Sequence, residues 1–259
     1  MKTALIWYTG FVWSNILKQN TFTDLYNSKN ISDIKWKEYD LIVCAWVKAV
    51  KWWANQNPDN DLEWIKLLIN NLKEIKVKKI VLISTIDVYS KPIEVNEDLD
   101  LTKLNSNNHH AYWLNRIVLE NFIKNTFSNY SIIRLPWLFW EWLKKNIIYD
   151  LLNDNMLLKI IPNSNIQYYY LWNIWNDIEK VINNNIKIVN FNSEPILSSQ
   201  IKNKFFPSKK IWKETEKWLL YDYKTKFDYI FWWKNGYMYS KKQILNDLET
   251  FIINYKKWN

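Results

Sequence analysis

Apolar residues fall along this chain in short runs that alternate with stretches of helical spacing. Thr3–Ile6 is an apolar run of strand length, and Phe11, Val12, Ile16 and Leu17 then recur at the spacing of one helix face. The pattern predicts strands at Thr3–Ile6, Phe22–Tyr26, Leu41–Ala45, Lys79–Ser84, Ser131–Leu135 and Ile186–Phe191. It predicts helices at Phe11–Lys18, Asp61–Glu74, Tyr112–Asn125, Trp142–Asn153, Trp175–Asn183 and Ser240–Asn254. Leu62, Ile65, Leu68, Ile69 and Leu72 give the second helix a clear apolar face. Strands alternating with amphipathic helices predict an α/β fold, a parallel sheet covered on both faces. The polar stretch Glu94–Asn108 reads as a loop, and neither an internal repeat nor a flexible linker is present.

Composition changes this picture at one point. The chain of 259 residues holds 18 Trp and only 2 Gly. Glycine normally supplies about 7% of residues, roughly 18 in a chain of this length. The two types together come close to an ordinary glycine complement plus a few tryptophans. Between the first strand and the first helix lie Trp7, Gly10 and Trp13, spaced three apart. With glycine at 7 and 13 the segment becomes a strand–turn–helix with glycine every third residue, a phosphate-binding turn. One glycine permits the bend, one lets the backbone approach a pyrophosphate, and one lets helix and strand pack closely. The helix N-terminus offers N–H donors to the phosphates. An indole can do none of these jobs.

Other segments agree in order. Asp40–Trp46 reads D-L-I-V-C-A-W, Val81–Tyr89 reads V-L-I-S-T-I-D-V-Y, Ala111–Arg116 reads A-Y-W-L-N-R, and Arg134–Trp142 reads R-L-P-W-L-F-W-E-W. Together with the first turn they resemble the extended short-chain dehydrogenase/reductase superfamily, the NAD-dependent epimerase/dehydratase group. Trp stands in a usual glycine slot of that group in every one of these segments except Val81–Tyr89. The resemblance covers residues 3–146 best. It implies a Rossmann-type doubly wound parallel sheet, with an NAD(P)-binding domain over 1–136. A small substrate-binding lobe over 137–259 would interleave with the last sheet elements. Residues 137–172 and 193–239 are the candidates for that lobe. We read most of the tryptophans as glycines encoded by UGA, as in some bacterial codes. A Trp-rich sugar-binding surface and a Trp-rich core are the other readings, and neither explains why Trp falls on turn positions.

The resemblance assigns catalysis to Thr85, Tyr112 and Arg116. Tyr112 would exchange a proton with the substrate hydroxyl or carbonyl while the nicotinamide gives or takes the hydride. A free phenol ionises near pH 10 and needs a nearby positive charge to act as a base near neutrality. The group carries Lys four residues after the tyrosine; here the position is Arg116, which keeps the charge but not a releasable proton. Thr85 would hydrogen-bond the reacting oxygen. Asp87 lies near the dehydratase carboxylates and is a candidate substrate-binding residue or a loop cap. Cofactor contacts are expected from Trp7, Gly10, Phe11, Val12, Trp13, Asn27, Lys29, Ala45, Trp46, Ser84, Pro136 and Trp137. The segment Tyr26-Asn27-Ser28-Lys29 has no acid to bind both ribose hydroxyls, so the choice leans to NADP over NAD. The expected substrate is a sugar or nucleotide-sugar. The other functional reading is a catalytically weak NAD(P)-binding sensor or regulatory protein of the same fold.

The remaining features are quieter. A net charge of +9 comes from scattered lysines with no basic stripe, so no nucleic-acid partner is expected. Cys44 is alone in an apolar strand, and His109 and His110 lack partners at metal-ligand spacing, so no metal is expected. The apolar N-terminus is a strand rather than a secretion signal, and no apolar stretch is long enough to span a membrane. A cytoplasmic enzyme is the expectation, with a homodimer left open. The codons at positions 7, 13, 113, 137 and 140 should be UGA in the gene. UGG at all five would overturn the glycine reading.

Overall fold

The computed structural model describes residues 1–7, 10–45, 51–101, 110–212 and 218–258. It divides into two compact units. The first comprises Met1–Ser90, Asp98–Arg134 and Trp175–Val189, and the second comprises Lys91–Glu97, Leu135–Ile174 and Asn190–Asn259.

The first unit is built on a sheet. Strands β1 (Thr3–Ile6), β2 (Asp24–Tyr26), β3 (Glu38–Cys44), β4 (Lys76–Thr85), β5 (Tyr130–Leu135) and β9 (Ile188–Asn190) form a six-stranded parallel sheet in the order β2-β1-β3-β4-β5-β9. β1 pairs with both β2 and β3, so the chain winds outward in both directions from β1. The switch point lies between β1 and β3, and in such sheets the ligand crevice forms outside the strands' carboxyl ends there. Helices α1 (Phe11–Gln19), α2 (Lys51–Gln56), α3 (Pro58–Leu72), α4 (Ala111–Thr126) and α6 (Ile174–Asn183) connect the strands. Burial follows the apolar pattern: β1 is buried throughout, and Ile65, Leu68, Ile69 and Leu72 of α3 face a core with Ile42, Ile80, Leu119 and Ile123.

The second unit holds two small sheets. β6 (Trp137–Phe139) runs parallel to β8 (Tyr168–Tyr170), and β7 (Asn165–Ile166) runs antiparallel to β10 (Ile196–Leu197). Helices α5 (Ile147–Asn153), α7 (Ser198–Phe205) and α8 (Lys241–Trp258) complete it. Phe139, Trp140, Tyr170 and Phe251 form an aromatic core, with Phe139 stacked on Tyr170 at 5.1 Å. Glu97 is fixed inside this unit by Thr225 Oγ1 (2.6 Å) and the Asn190 and Lys226 N–H groups. The predicted loop from Glu94 therefore begins as a tethered segment, while its residues 102–108 lie outside the described residues.

All six predicted strands and all six predicted helices are present, with shifted ends. The helix expected from Trp142 starts only at Ile147. Trp142 has φ 65°, outside the helical region, and Asn146 caps the helix through its side-chain oxygen on the Ile148 and Tyr149 N–H groups. The short helices α2 and α7 had no periodic apolar stripe to announce them.

Among the described residues, four tryptophans adopt positive φ: Trp7 (74°), Trp36 (63°), Trp142 (65°) and Trp232 (64°). This region costs a residue with a Cβ roughly 1–2 kcal/mol and costs glycine nothing. Trp232 is also 88% exposed, so its indole has little packing to offset the strain. Trp232→Gly should raise stability by about 1 kcal/mol in urea unfolding. A loss of stability would contradict that account of the turn.

Candidate functional site

The turn after β1 lies at the switch point. Trp7 donates its N–H to the Tyr26 carbonyl (2.5 Å), and its ring packs against the core. Gly10 precedes α1 in extended backbone and has no side-chain cap; its carbonyl accepts from Ser14 Oγ (2.8 Å). A Cβ on Gly10 would stand 2.8 Å from Trp13 Nε1 and 3.6 Å from Trp7 Cδ1. The two indoles therefore close over the glycine where a pyrophosphate would have to approach the backbone. As written, this turn does not fit a dinucleotide. Glycine at 7 and 13 would remove both rings and leave the α1 N-terminus facing the opening, with Phe11 and Val12 half-buried in its first turn.

At the end of β2, Asn27 is committed to a turn: its oxygen accepts from the Lys29 N–H and its own N–H donates to Asn30 Oδ1 (2.7 Å). Lys29 is exposed beside it. Asp24 lies at the start of the strand, where its carboxylate accepts from the Tyr39 hydroxyl, and Tyr39 holds its proton through burial and that bond. Ala45 follows β3, donating to the Ile6 carbonyl. Trp46 lies outside the described residues, as does His109. Pro136 and Trp137 belong to the second unit, where Trp137 meets Tyr168 and Tyr221 edge-on.

The expected catalytic residues gather at the end of β4 and the start of α4. Thr85 Oγ1 accepts the Asp87 N–H (3.2 Å), capping the single turn Ile86–Val88. The Trp113 indole N–H bonds the Val88 carbonyl, which fastens this turn to the start of α4. Tyr112, one residue earlier, is buried, and Asn55 Oδ1 accepts its backbone N–H (3.0 Å). Burial raises the Tyr112 phenol above its ordinary range; Arg116 opposes this, while Asp87 and Asp61 add to it. The phenol is therefore held protonated at neutral pH.

Arg116 lies under the Tyr112 ring, its guanidinium carbon 4.3 Å from the centroid. Its two terminal nitrogens reach both oxygens of Asp61 (2.8 and 3.0 Å), and Asn115 also donates to Asp61 (2.9 Å). Both ionic side chains are nearly inaccessible. A planar two-pronged donor suits this clamp, and a lysine could not reproduce it. Asp61 had been legible only as an acid in the first turn of a helix.

A second buried cluster lies behind the site. Glu120, two turns along α4 from Tyr112, accepts from Ser84 Oγ (2.7 Å) and from Arg134 Nε (3.0 Å) and Nη2 (2.6 Å). Arg134 also donates to the Tyr89 hydroxyl (2.7 Å). Ser84, expected at the cofactor, is thus tied to α4. The signal for Glu120 in the sequence was its position, four residues after Arg116 on the same helix face.

No family model and no curated protein sequence matches the chain. Solved structures do. A dTDP-4-dehydrorhamnose reductase from Clostridium acetobutylicum superposes with a TM-score of 0.73 at 15% identity, covering 99% of this chain and 100% of that one. The reductase from Bacillus anthracis, in complex with NADP, gives 0.70 at 14%, over 98% and 100% of the two chains. A UDP-N-acetylglucosamine 4-epimerase from Methanobrevibacter ruminantium, bound to UDP-N-acetylmuramic acid, gives 0.71 at 13%, over 100% and 99%.

Burial would raise the Glu120 carboxyl, but the charge and hydrogen bonds of Arg134 outweigh it, and the carboxyl ends below its ordinary value of 4.5. A depressed carboxyl contributes stability above the unfolded value and loses it as pH falls through the folded one. Glu120→Gln should cost about 3–5 kcal/mol at neutral pH by leaving Arg134 unpaired in the interior. In urea unfolding the gap to the unmodified chain should narrow as pH drops below 4.5. A gap independent of pH would contradict this assignment. The chain has the Rossmann-type fold shared by these nucleotide-sugar reductases and epimerases.

Proposed function

We propose that the gene specifies an extended short-chain dehydrogenase/reductase, an NAD(P)-dependent oxidoreductase or epimerase acting on a sugar or nucleotide-sugar. The observation that carries this reading is the buried Tyr112 at the start of α4, tied to the turn that bears Thr85 and Asp87. A phenol held protonated by burial is suited to donating a proton to a carbonyl oxygen as it becomes a hydroxyl. Thr85 Oγ1 is positioned by the Asp87 N–H to share the hydrogen bonding of that oxygen. Asp87, half-buried, is available to a sugar hydroxyl. The nicotinamide cofactor supplies the hydride when bound. Lys29 is the cation that would accept a 2′-phosphate at the end of β2, and Asp24, engaged by Tyr39, is not free to take the ribose hydroxyls; this supports NADP. Substrate recognition is assigned to the second unit. The structural relatives named above act on nucleotide-sugars by their descriptions, which supports the substrate class.

Most of the tryptophans are read as glycine in this proposal. The positive φ of Trp7, Trp36, Trp142 and Trp232 and the closure of Trp7 and Trp13 over Gly10 support it. One observation favours a second reading, a cofactor-binding sensor: Arg116, in the place of a lysine, is clamped by both oxygens of Asp61 and has no proton to release.

The two readings separate in one experiment on the chain with glycine at the proposed positions. NADPH oxidation is followed over a panel of 4-keto and 4-hydroxy nucleotide-sugars, with Tyr112→Phe beside it. An enzyme should lose about 100-fold or more in kcat with the phenol removed, the usual scale of acid–base catalysis. Cofactor binding without turnover, unchanged by Tyr112→Phe, would replace the enzyme with the sensor.

A further inference from the structure

In the second unit, a tryptophan read as glycine lies beside a buried phenol. Trp137 on β6 and Tyr168 on β8 are direct partners in the strand register, so their side chains leave the same face of the ribbon side by side. The indole meets the Tyr168 ring edge-on with centroids 6.3 Å apart, and it meets the Tyr221 ring at 6.4 Å. Trp137 and Tyr221 are half-buried, whereas Tyr168 is inaccessible. The indole thus fills a slot bounded by two phenols, and part of it reaches solvent.

The Tyr168 hydroxyl is buried and has no hydrogen-bond partner among the described residues. A buried phenol O–H ordinarily finds one, and going without costs stability. Burial holds this phenol well above its ordinary range, so the hydroxyl remains a donor at neutral pH. The backbone on either side is tied down. Ser193 Oγ accepts the Tyr168 N–H (3.2 Å), and Gln167 Nε2 donates to the Ser193 (2.8 Å) and Tyr223 (2.9 Å) carbonyls. The Gln167 oxygen accepts the Tyr223 N–H (3.0 Å), and the Asn165 carbonyl accepts the Tyr221 N–H (2.9 Å). The segments that carry both phenols are therefore fixed without the indole, and the slot keeps its walls when the indole is removed.

We propose that Tyr168 is a ligand-binding residue: with glycine at position 137, the slot filled by the indole receives a flat heteroaromatic ring, and the Tyr168 hydroxyl bonds a carbonyl or amide oxygen on that ring. An indole has the flatness and size of such a ring, and aromatic rings that pair edge-on with one flat ring suit another. The nucleobase of a nucleotide-sugar and the nicotinamide of the cofactor share this chemistry. The proposal rests on the function above and on reading position 137 as glycine.

The test is a double-mutant cycle in the full-length chain with glycine at the other proposed positions. Trp137→Gly and Tyr168→Phe are added singly and together. Calorimetry follows two matched pairs of probes. UDP-glucose is set beside glucose 1-phosphate, which lacks the base, and NADPH beside 2′-phospho-ADP-ribose, which lacks the nicotinamide. Trp137→Gly should tighten binding of one ring-bearing probe, and not of its truncated partner, by about 5-fold or more. The pair that responds identifies the ring. Adding Tyr168→Phe should remove most of that gain, whereas with Trp137 in place it should change affinity by less than about 2-fold. Without ligand, Tyr168→Phe should leave the urea midpoint unchanged or raise it, since no internal bond is lost. A lowered midpoint would mean that the hydroxyl serves the fold, and would overturn the proposal. So would affinities for UDP-glucose and NADPH that, after Trp137→Gly, do not respond to Tyr168→Phe; the proposed function would then stand. Failure of both probes to bind, with and without Trp137→Gly, would overturn the function as well.

Discussion

The Glu120–Arg134 pair is the constraint on which the arrangement of the site depends. It sits with no solvent access and joins three elements: Ser84 at the end of β4, Glu120 on α4 and Arg134 on β5. Ser84 is the neighbour of Thr85, and Glu120 is two turns from Tyr112 on the same helix. This ionic contact therefore fixes the distance between the strand end beside Thr85 and the helix that bears Tyr112. Removing either partner strands the other in a medium that cannot solvate it. The pair's value lies in register, since an apolar replacement of both partners would pack without specifying which oxygen meets which nitrogen.

A second ion pair lies beneath Tyr112. Arg116 occupies the place where a mobile lysine is expected from the resemblance, and Asp61 holds it by both terminal nitrogens. The guanidinium supports the Tyr112 ring from below, pairs with Asp61 on α3 and still opposes the upward shift of the phenol. Burial then dominates, and the phenol stays protonated. Under the function proposed above, a phenol held protonated suits chemistry that begins with proton donation, the reduction of a carbonyl, better than chemistry that begins with proton removal.

Much of this was legible in the residues. β1 and α1 stand where the apolar runs placed them because their faces are unambiguous, and Tyr112 and Thr85 lie at element ends that the runs delimit. What the pattern could not show were contacts between residues far apart in sequence. Asp61 meets Arg116 from 55 positions away, and Lys51 meets Asp87 from 36. Helix α2 is six residues long, too short for a periodic stripe. The early start expected for α5 failed because a backbone at positive φ interrupts any helical pattern, whatever side chain it carries. That same failure links the fold to the composition, since Trp142 is one of the residues read as glycine.

The first strand–turn–helix is the segment to which the proposed cofactor would bind. Among the described residues of that segment, the Trp7 and Trp13 indoles close over Gly10. NADPH titrated into the chain with Trp7 and Trp13, and into the chain with Trp7→Gly and Trp13→Gly, isolates that one difference. Binding by the glycine form with severely weakened or absent binding by the tryptophan form is the predicted result. Equal, tight binding by both would contradict the reading of this turn as a phosphate cradle hidden beneath two tryptophans.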